Sequence, residues 1–319
     1  MSRNRWVCLP LMLAVCLAGC HRQADGAGSP AAESGPGHRF SGDYPIRIVA
    51  TTGMVADLVE HVGGRHVAVT ALMGEGVDPH LYKASSGDVA RLNQADMVAY
   101  SGLHLEGRMG EVLARLARRK PAFAVTNKLP RERLLKVGPN QFDPHVWFDV
   151  GLWAECLSQV ETELAGFDPS HEADYRTQAA AHRQELIALD AWCRDQIAGI
   201  PAERRVLVTA HDAFHYFGRA YDIEVKAIQG ISTQAEAGVN QINGLVEFIS
   251  QRQIKAVFVE TSVSERNIRA LVEGCEDRGH HVDIGGQLFS DAMGKPGTPP
   301  GTYGGMVRHN VDTIRRALE

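Results

Sequence analysis

Phe142-Asp143-Pro144-His145-Val146-Trp147 is the stretch from which the rest of this chain can be read, together with an earlier echo, Asp78-Pro79-His80-Leu81. With 18 Asp, 14 Pro and 14 His in 319 residues, chance supplies far less than one Asp-Pro-His tripeptide, yet two occur. Asp-Pro reads as a helix entry, because Asp caps exposed backbone N–H groups and Pro suits the first helical position. A His placed there sits on a stiff backbone with its imidazole held clear of the interior. One copy alone is most simply a capped helix start that carries a His. Two copies, with a third candidate, His211, just beyond a strand, point to metal ligands.

Outward from these stretches the pattern alternates between short apolar runs and amphipathic ones. Strands are predicted at Ile46–Ala50, Val67–Leu72, Met97–Tyr100 and Ala122–Val125, with helices at Met54–Val62, Ser86–Leu92 and Arg108–Arg119. That is a βαβ series, which implies a parallel sheet covered by helices. A helix over Val150–Leu164 follows, and Asp168-Pro169 then opens the longest helical stretch, to about Gly199. At about 1.5 Å per residue it would reach roughly 45 Å, enough to cross between two domains. The series restarts with strands at Val206–Thr209, Val225–Ile228, Ala256–Val259 and Val282–Ile284. Its helices are predicted at Ala213–Tyr221, Ala235–Gln251, Glu265–Arg278 and Val307–Leu318. The expected fold is α/β, with two lobes, each a parallel sheet flanked by helices, joined by a single long helix.

Ligands of open parallel sheets bind beyond the carboxyl ends of the strands. His80 follows the second strand, His211 comes two residues after Val206–Thr209, Glu260 ends Ala256–Val259, and Asp291 follows Val282–Ile284. The candidate polar groups therefore gather on one edge of each lobe, where the lobes would face one another.

Composition narrows the function classes. The chain is 44% hydrophobic and 22% charged, as suits one large or two medium domains, and its net charge of −5 comes without the basic block expected of a nucleic-acid binder. Aromatic content of 7% does not suggest an aromatic-lined pocket for a large organic ligand. Arg3 and Arg5 precede an apolar run, Val7 to Ala18, too short to span a bilayer. The run ends in Leu17-Ala18-Gly19-Cys20, which resembles a bacterial lipoprotein signal whose cleavage leaves Cys20 lipidated and first in the mature chain. An ordinary secretory signal is the alternative, and either one takes the protein out of the cytoplasm. Cys156, Cys193 and Cys275 remain, an odd number without metal-site spacing, and read as buried or free thiols. The expected layout is a signal peptide at 1–19, a Gly/Ala/Ser/Pro-rich tether at 20–43, an N-terminal lobe at 44–167, the linking helix at 168–199 and a C-terminal lobe at 200–319.

Several stretches in order resemble the metal-binding lipoproteins that serve ABC importers of zinc and manganese, the cluster A-I or TroA-like (ZnuA-like) family. They are Gly76-Val77-Asp78-Pro79-His80-Leu81-Tyr82, Asp143-Pro144-His145-Val146-Trp147-Phe148-Asp149, Thr209-Ala210-His211-Asp212-Ala213-Phe214, Gln229-Gly230-Ile231-Ser232-Thr233, Val257-Phe258-Val259-Glu260 and Gly285-Gly286-Gln287-Leu288-Phe289-Ser290-Asp291. The resemblance runs from about Ile46 to the C-terminus and implies a metal ligand set of His80, His145, His211 and Asp291. It implies capture of one divalent ion between the lobes, with no enzymatic activity. The implied partners are an ABC permease with its ATPase and, through Cys20, the membrane at the periplasmic side of the cell envelope. Nucleic acid is not among them, and a monomer is expected.

Three imidazoles and a carboxylate suit zinc in tetrahedral geometry, with manganese and then ferrous iron behind it. Glu260 and Asp212 are expected to support the ligands rather than bind the ion. His215 stands where relatives usually carry Gly, and Thr126–Phe142 lacks the His-rich loop of many zinc-specific members. His61, His66, His104, His171, His182, His280, His281 and His309 fit no ligand pattern. The rival readings are a periplasmic zinc hydrolase, for which neither His-Glu-x-x-His nor Gly-x-Ser-x-Gly is present, and a surface adhesin.

Overall fold

The computed structural model describes residues 39–319; the signal segment 1–19, Cys20 and most of the tether lie outside the described residues. The N-terminal lobe is built on β1 (Ile46–Ala50), β2 (Val67–Ala71), β3 (Met97–Tyr100) and β4 (Ala122–Ala124), parallel throughout in the order β2-β1-β3-β4. β1 is central, pairing Ile46 to Ala50 with Val67 to Ala71 on one side and Ile48 to Ala50 with Met97 to Ala99 on the other. Its apolar run reflects cover on both faces, as parallel sheets require. One face meets α1 (Gly53–Gly63), and the other packs Val49 and Val98 against Leu92 of α2 (Ser86–Gln94) and Leu113 and Leu116 of α3 (Gly110–Ala117).

An antiparallel hairpin absent from the sequence reading, β5 (Lys136–Gly138) with β6 (Gln141–Phe142), leads straight into Asp143-Pro144-His145. The predicted helix over Val150–Leu164 is two: α4 (Val150–Glu155), capped by Asp149 accepting from the Leu152 N–H at 2.9 Å, and α5 (Leu157–Phe167). The long helix α6 runs Glu172–Ala198, 27 residues, after a 3-10 turn at Pro169–His171. Its inward stripe is Tyr175, Ala179, His182, Leu186, Leu189, Cys193 and Ile197, spaced three or four apart as one helix face demands.

The C-terminal lobe pairs β7 (Val206–Thr209) with β8 (Glu224–Ala227) and β9 (Ala256–Glu260) with β10 (Asp283–Leu288), each parallel, with β7 beside β9. Its helices are α7 (His215–Tyr221), α8 (Val239–Arg252), α9 (Arg266–Glu276) and α10 (Tyr303–Leu318). β10 is twice the predicted length because it runs on through Gly285-Gly286. Gly286 lies at φ 147°, at a register irregularity, and a side chain there would strike Thr313 of α10. α10 starts four residues earlier than predicted, where the Thr302 hydroxyl caps the Gly305 N–H at 3.1 Å.

One continuous core joins the lobes, running from Ile46, Ile48 and Leu58 through Trp147, Trp153, Tyr175 and Leu186 to Leu207, Phe214, Tyr303 and Ile314. The three cysteines of the described chain, Cys156, Cys193 and Cys275, are buried and unpaired. Among the described residues no helix is long and apolar enough to cross a membrane.

The entry to α6 is tied down by one carboxylate. Asp168 accepts from the Tyr175 hydroxyl at 2.7 Å, His171 Nδ1 at 2.7 Å and the Tyr44 hydroxyl at 2.9 Å. Burial alone would raise its pKa, but these three donors hold it below the usual carboxylate range. A depressed folded-state value stabilises above the unfolded value of about 3.9 and is lost as pH falls through the folded one. Asp168→Ala, which strands the buried Tyr175 hydroxyl, is expected to cost about 1–3 kcal/mol at pH 7. Urea unfolding should show the gap from wild type narrowing below about pH 4; a gap that is constant with pH would contradict this account.

Candidate metal centre

The two Asp-Pro-His copies do not open α-helices. In each, the Asp Oδ1 accepts the His backbone N–H two residues on, at 2.8 Å in Asp78–His80 and 2.9 Å in Asp143–His145, a tight Asx turn. The first copy continues as a turn and the second as a 3-10 helix, Val146–Phe148. Proline stiffens both turns, so each His leaves the chain in one direction. Gly76, at φ 70°, lets the loop after β2 fold back beside the Thr261 carbonyl and deliver His80 inward.

His80, His145, His211 and Asp291 converge on one point between the lobes, each 2% exposed or less. His80 Nε2 lies 3.2 Å from His145 Nε2, and Asp291 Oδ1 lies 3.3 Å from His145 Nε2. Asp291 Oδ2 is 3.3 Å from His211 Nε2 and 3.7 Å from His80 Nε2. Zinc bonds of about 2.0–2.1 Å place tetrahedral donors roughly 3.3–3.4 Å apart, close to three of these separations, with His80 to Asp291 the longer one. His211 Nε2 and both Asp291 oxygens are buried without a hydrogen-bond partner. Unpaired acceptors meeting in a dry centre are costly unless a cation joins them.

Two carboxylates behind the rings fix which nitrogen faces the centre. Asp143 Oδ1 accepts from His145 Nδ1 at 2.7 Å, and Glu260 Oε2 accepts from His211 Nδ1 at 2.5 Å while Glu260 Oε1 takes the His211 backbone N–H at 2.8 Å. With Nδ1 as donor, the Nε2 lone pair of each ring points inward. The field is correspondingly negative. Burial lowers the His145 pKa, but Asp143 and Asp291 overcome it and raise the group to about 9. Burial likewise opposes the charged form of His211, yet Glu260 and Asp291 hold it well above its ordinary value. Asp291, which burial would raise, is kept well below the usual carboxylate range by His211 and His145. His80, with no carboxylate behind it, is lowered to about 4 by burial and stays a neutral donor.

The remaining candidates fall elsewhere. Asp212 does not support the cluster: its carboxylate lies 2.8 Å from His215 Nε2, and both side chains are partly exposed. His215 sits at the start of α7, outside the four-residue group. Asp143 was missed as a partner of His145, and the repeated motif could not have revealed it, since Asp78 instead reaches across to the Thr233 hydroxyl at 2.5 Å. Other cross-lobe bonds frame the centre. Trp147 Nε1 donates to the Ser290 carbonyl at 3.1 Å, the Tyr216 hydroxyl to the Asp143 carbonyl at 3.1 Å, and Gln234 Nε2 to the His80 carbonyl at 3.3 Å.

Comparison with known proteins agrees in fold and extent. A family model described as ZnuA, zinc-uptake complex component A, periplasmic, matches residues 48–317. The chain is 50% identical over 280 residues to the manganese-binding lipoprotein MntA of Bacillus subtilis, covering 88% of this chain and 92% of that one. It is 48% identical over 271 residues to the zinc-binding protein TroA of Treponema pallidum, covering 85% and 88%. The solved periplasmic zinc-binding protein TroA from that organism superposes with a TM-score of 0.84 at 47% identity, over 86% of this chain and 99% of that one. The chain therefore belongs to the ZnuA/TroA family, the cluster A-I substrate-binding proteins of metal ABC importers.

Proposed function

We propose that this chain captures a single divalent transition-metal ion as cargo on the Nε2 atoms of His80, His145 and His211 and the carboxylate of Asp291. The ion is then delivered to an ABC permease. The observation that carries this reading is the set of four buried, inward-facing donors at tetrahedral-edge spacing. In this reading residues 44–167 and 200–319 are the capturing lobes and 168–199 the connector. Cys20 carries the lipid that keeps the mature protein, a monomer, on the periplasmic side of the envelope, as the lipoprotein names of relatives suggest. A carrier is favoured over a hydrolase because catalytic zinc keeps an open coordination position, and here every donor is buried and directed at one point. Among the described residues no feature favours the adhesin reading.

Zinc is the first choice of metal, on donor type, number and spacing. Manganese is favoured by a different observation: both oxygens of Asp291 face the imidazoles, so the carboxylate can bind through two atoms and raise the coordination number with oxygen. Chelator-free mature protein, analysed for metal and then competed zinc against manganese, separates the two. A stripped sample should gain about 2.7 kcal/mol of stability at 100 times the dissociation constant of its metal, read as a thermal shift. No shift with zinc, manganese or iron would overturn the carrier reading.

Proton competition has a definite sign. Protons that His145, raised to about 9, and His211 hold when no metal is bound must leave as metal binds, so affinity should fall as pH drops from 8 to 5.5. Without metal, the raised His145 stabilises the fold fully below about 6.5, and that contribution fades as pH rises through about 9. Isothermal titration that gives one affinity across that range would count against imidazole ligation.

The placement of His211 and His215 sets up the sharpest mutational contrast. His211→Ala should abolish tight binding, whereas His215→Ala or His215→Gly should leave affinity within about tenfold, or 1.4 kcal/mol. Equal damage from both would show the ligand assignment to be wrong.

A further inference from the structure

A second group of metal-type donors lies away from the interlobe centre, where α1, α6 and the start of α10 meet. Asp57 and His61 stand one turn apart on α1, and His182 and Glu185 one turn apart on the facing stretch of α6. We propose that Asp57, His61 and His182 form a second, weaker binding site for a divalent cation of the zinc class.

Four features of the geometry carry this. First, Asp57 and His182 are 6% and 7% exposed, and His182 Nε2 is buried with no hydrogen-bond partner. A buried imidazole nitrogen left unpaired is uncommon and calls for a ligand or an ion. Second, Glu185 Oε2 accepts from His182 Nδ1 at 2.8 Å, which leaves the lone pair on the unpaired Nε2. This carboxylate–imidazole arrangement is the one that positions His211 and His145 in the main centre. Third, Asp57 Oδ2 is occupied by the Tyr303 backbone N–H at 3.0 Å, so Oδ1 is left to face the two imidazoles, 3.2 Å from His61 Nδ1 and 4.0 Å from His182 Nε2. Fourth, these groups line a cavity of about 240 Å³ that also touches Thr302 and Arg308, with room for water to complete a coordination sphere.

The rings need one adjustment. His61 is stacked on His182, centroids 3.8 Å apart and planes 11° from parallel, and stacked rings cannot both aim lone pairs at one ion. His61 is the exposed partner, its side chain 41% accessible, and can turn out of the stack onto the ion. Until then its Nδ1 is held by the Asp57 backbone carbonyl at 2.8 Å. The Arg308 guanidinium, the other cation nearby, is engaged 4.6 Å over the Trp192 ring. Asp57, His61 and His182 bring one carboxylate and two imidazoles to one place, a donor set that suits zinc or cobalt once water completes it.

The test is isothermal titration of chelator-stripped mature protein with zinc chloride at pH 8, with cobalt(II) absorption as a spectroscopic check. Wild type should take two zinc ions per chain in separate steps. His61→Gln, at an exposed position, should lose the weaker step or weaken it beyond the roughly tenfold effect of losing an outer-shell partner, with the tight step unchanged. His182→Gln should do the same, and unfolding curves establish whether that buried substitution folds; if it does not, His61→Gln decides alone. His80→Ala should show the opposite pattern, losing the tight step and keeping the weak one, so failure of the interlobe assignment is distinguishable from failure of this one. A single zinc per chain in wild type, or a second zinc that persists undiminished in His61→Gln and in any folded His182→Gln, would overturn the proposal.

Discussion

Asp291 is a fully buried carboxylate whose oxygens face three imidazoles, and the local structure follows from that arrangement. Removing a carboxylate from water costs several kcal/mol unless opposite charge and hydrogen bonds compensate. Here two more buried carboxylates, Asp143 and Glu260, are committed behind the rings, so the centre holds three negative groups and only neutral or protonatable partners. Such a cluster accepts either protons on its imidazoles or a metal ion in their place. The raised values of His145 and His211 and the depressed value of Asp291 describe the first state, and the unpaired His211 Nε2 and Asp291 oxygens are the donors that the second would use.

A site of this kind works only if its donors cannot relax away from one another, and the fold prevents that through shared packing. His80 and His145 come from one lobe, His211 and Asp291 from the other, yet both lobes bury their inner faces in one continuous core crossed by α6. Buried rings carry bonds over the junction: Tyr303 donates to the Trp147 carbonyl at 2.7 Å, Trp147 donates to Ser290 next to Asp291, and Tyr216 holds the Asp143 carbonyl. Three of the four donors thus sit in a mutually bonded interior. The fourth, His80, sits on the loop after β2, held across the junction by the half-buried Thr233, which donates to Asp78, and the exposed Gln234, which donates to the His80 carbonyl.

Much of this was legible in the residues. The apolar runs of β1, β3 and β7 were placed to the residue, because buried parallel strands admit little else. Of the four converging donors, His80, His211 and Asp291 follow predicted strands and His145 lies in the repeated Asp-Pro-His motif, while their grouping as one ligand set came from the family resemblance. What escaped notice was local. Asp-Pro suggested helix caps, but the Asp side chain found a nearer partner in the His backbone two residues on, and a turn competes with a helix at that spacing. The strand predicted to end at Ile284 runs on through Gly285-Gly286, whose lack of side chains lets α10 lie close upon it. Asp143 and Asp78 occupy identical sequence contexts and do different things, one holding an imidazole and the other a threonine, and only the third dimension separates them. His61 and His182 were 121 positions apart and fitted no motif, so their meeting across α1 and α6 could not be read at all.

Metal choice is the property least determined by the donor list, for a reason visible in the geometry. Three nitrogen donors at fixed separations define a small ion-sized space, and that favours zinc through both affinity and shape. Asp291 is the adjustable member. Engaging one oxygen, it completes a tetrahedron; engaging both, which already lie 3.3 Å from His145 and His211, it makes a higher-coordinate site richer in oxygen. The difference between the two is a small rotation of one side chain, and that rotation is governed by the segment Ser290–Asp291, itself fixed by the Trp147 indole and by the Ser262 hydroxyl 2.9 Å from that of Ser290. The residues that orient Asp291 therefore bear on how many of its oxygens face the imidazoles, and relatives of nearly equal identity carry names that specify manganese in one case and zinc in the other.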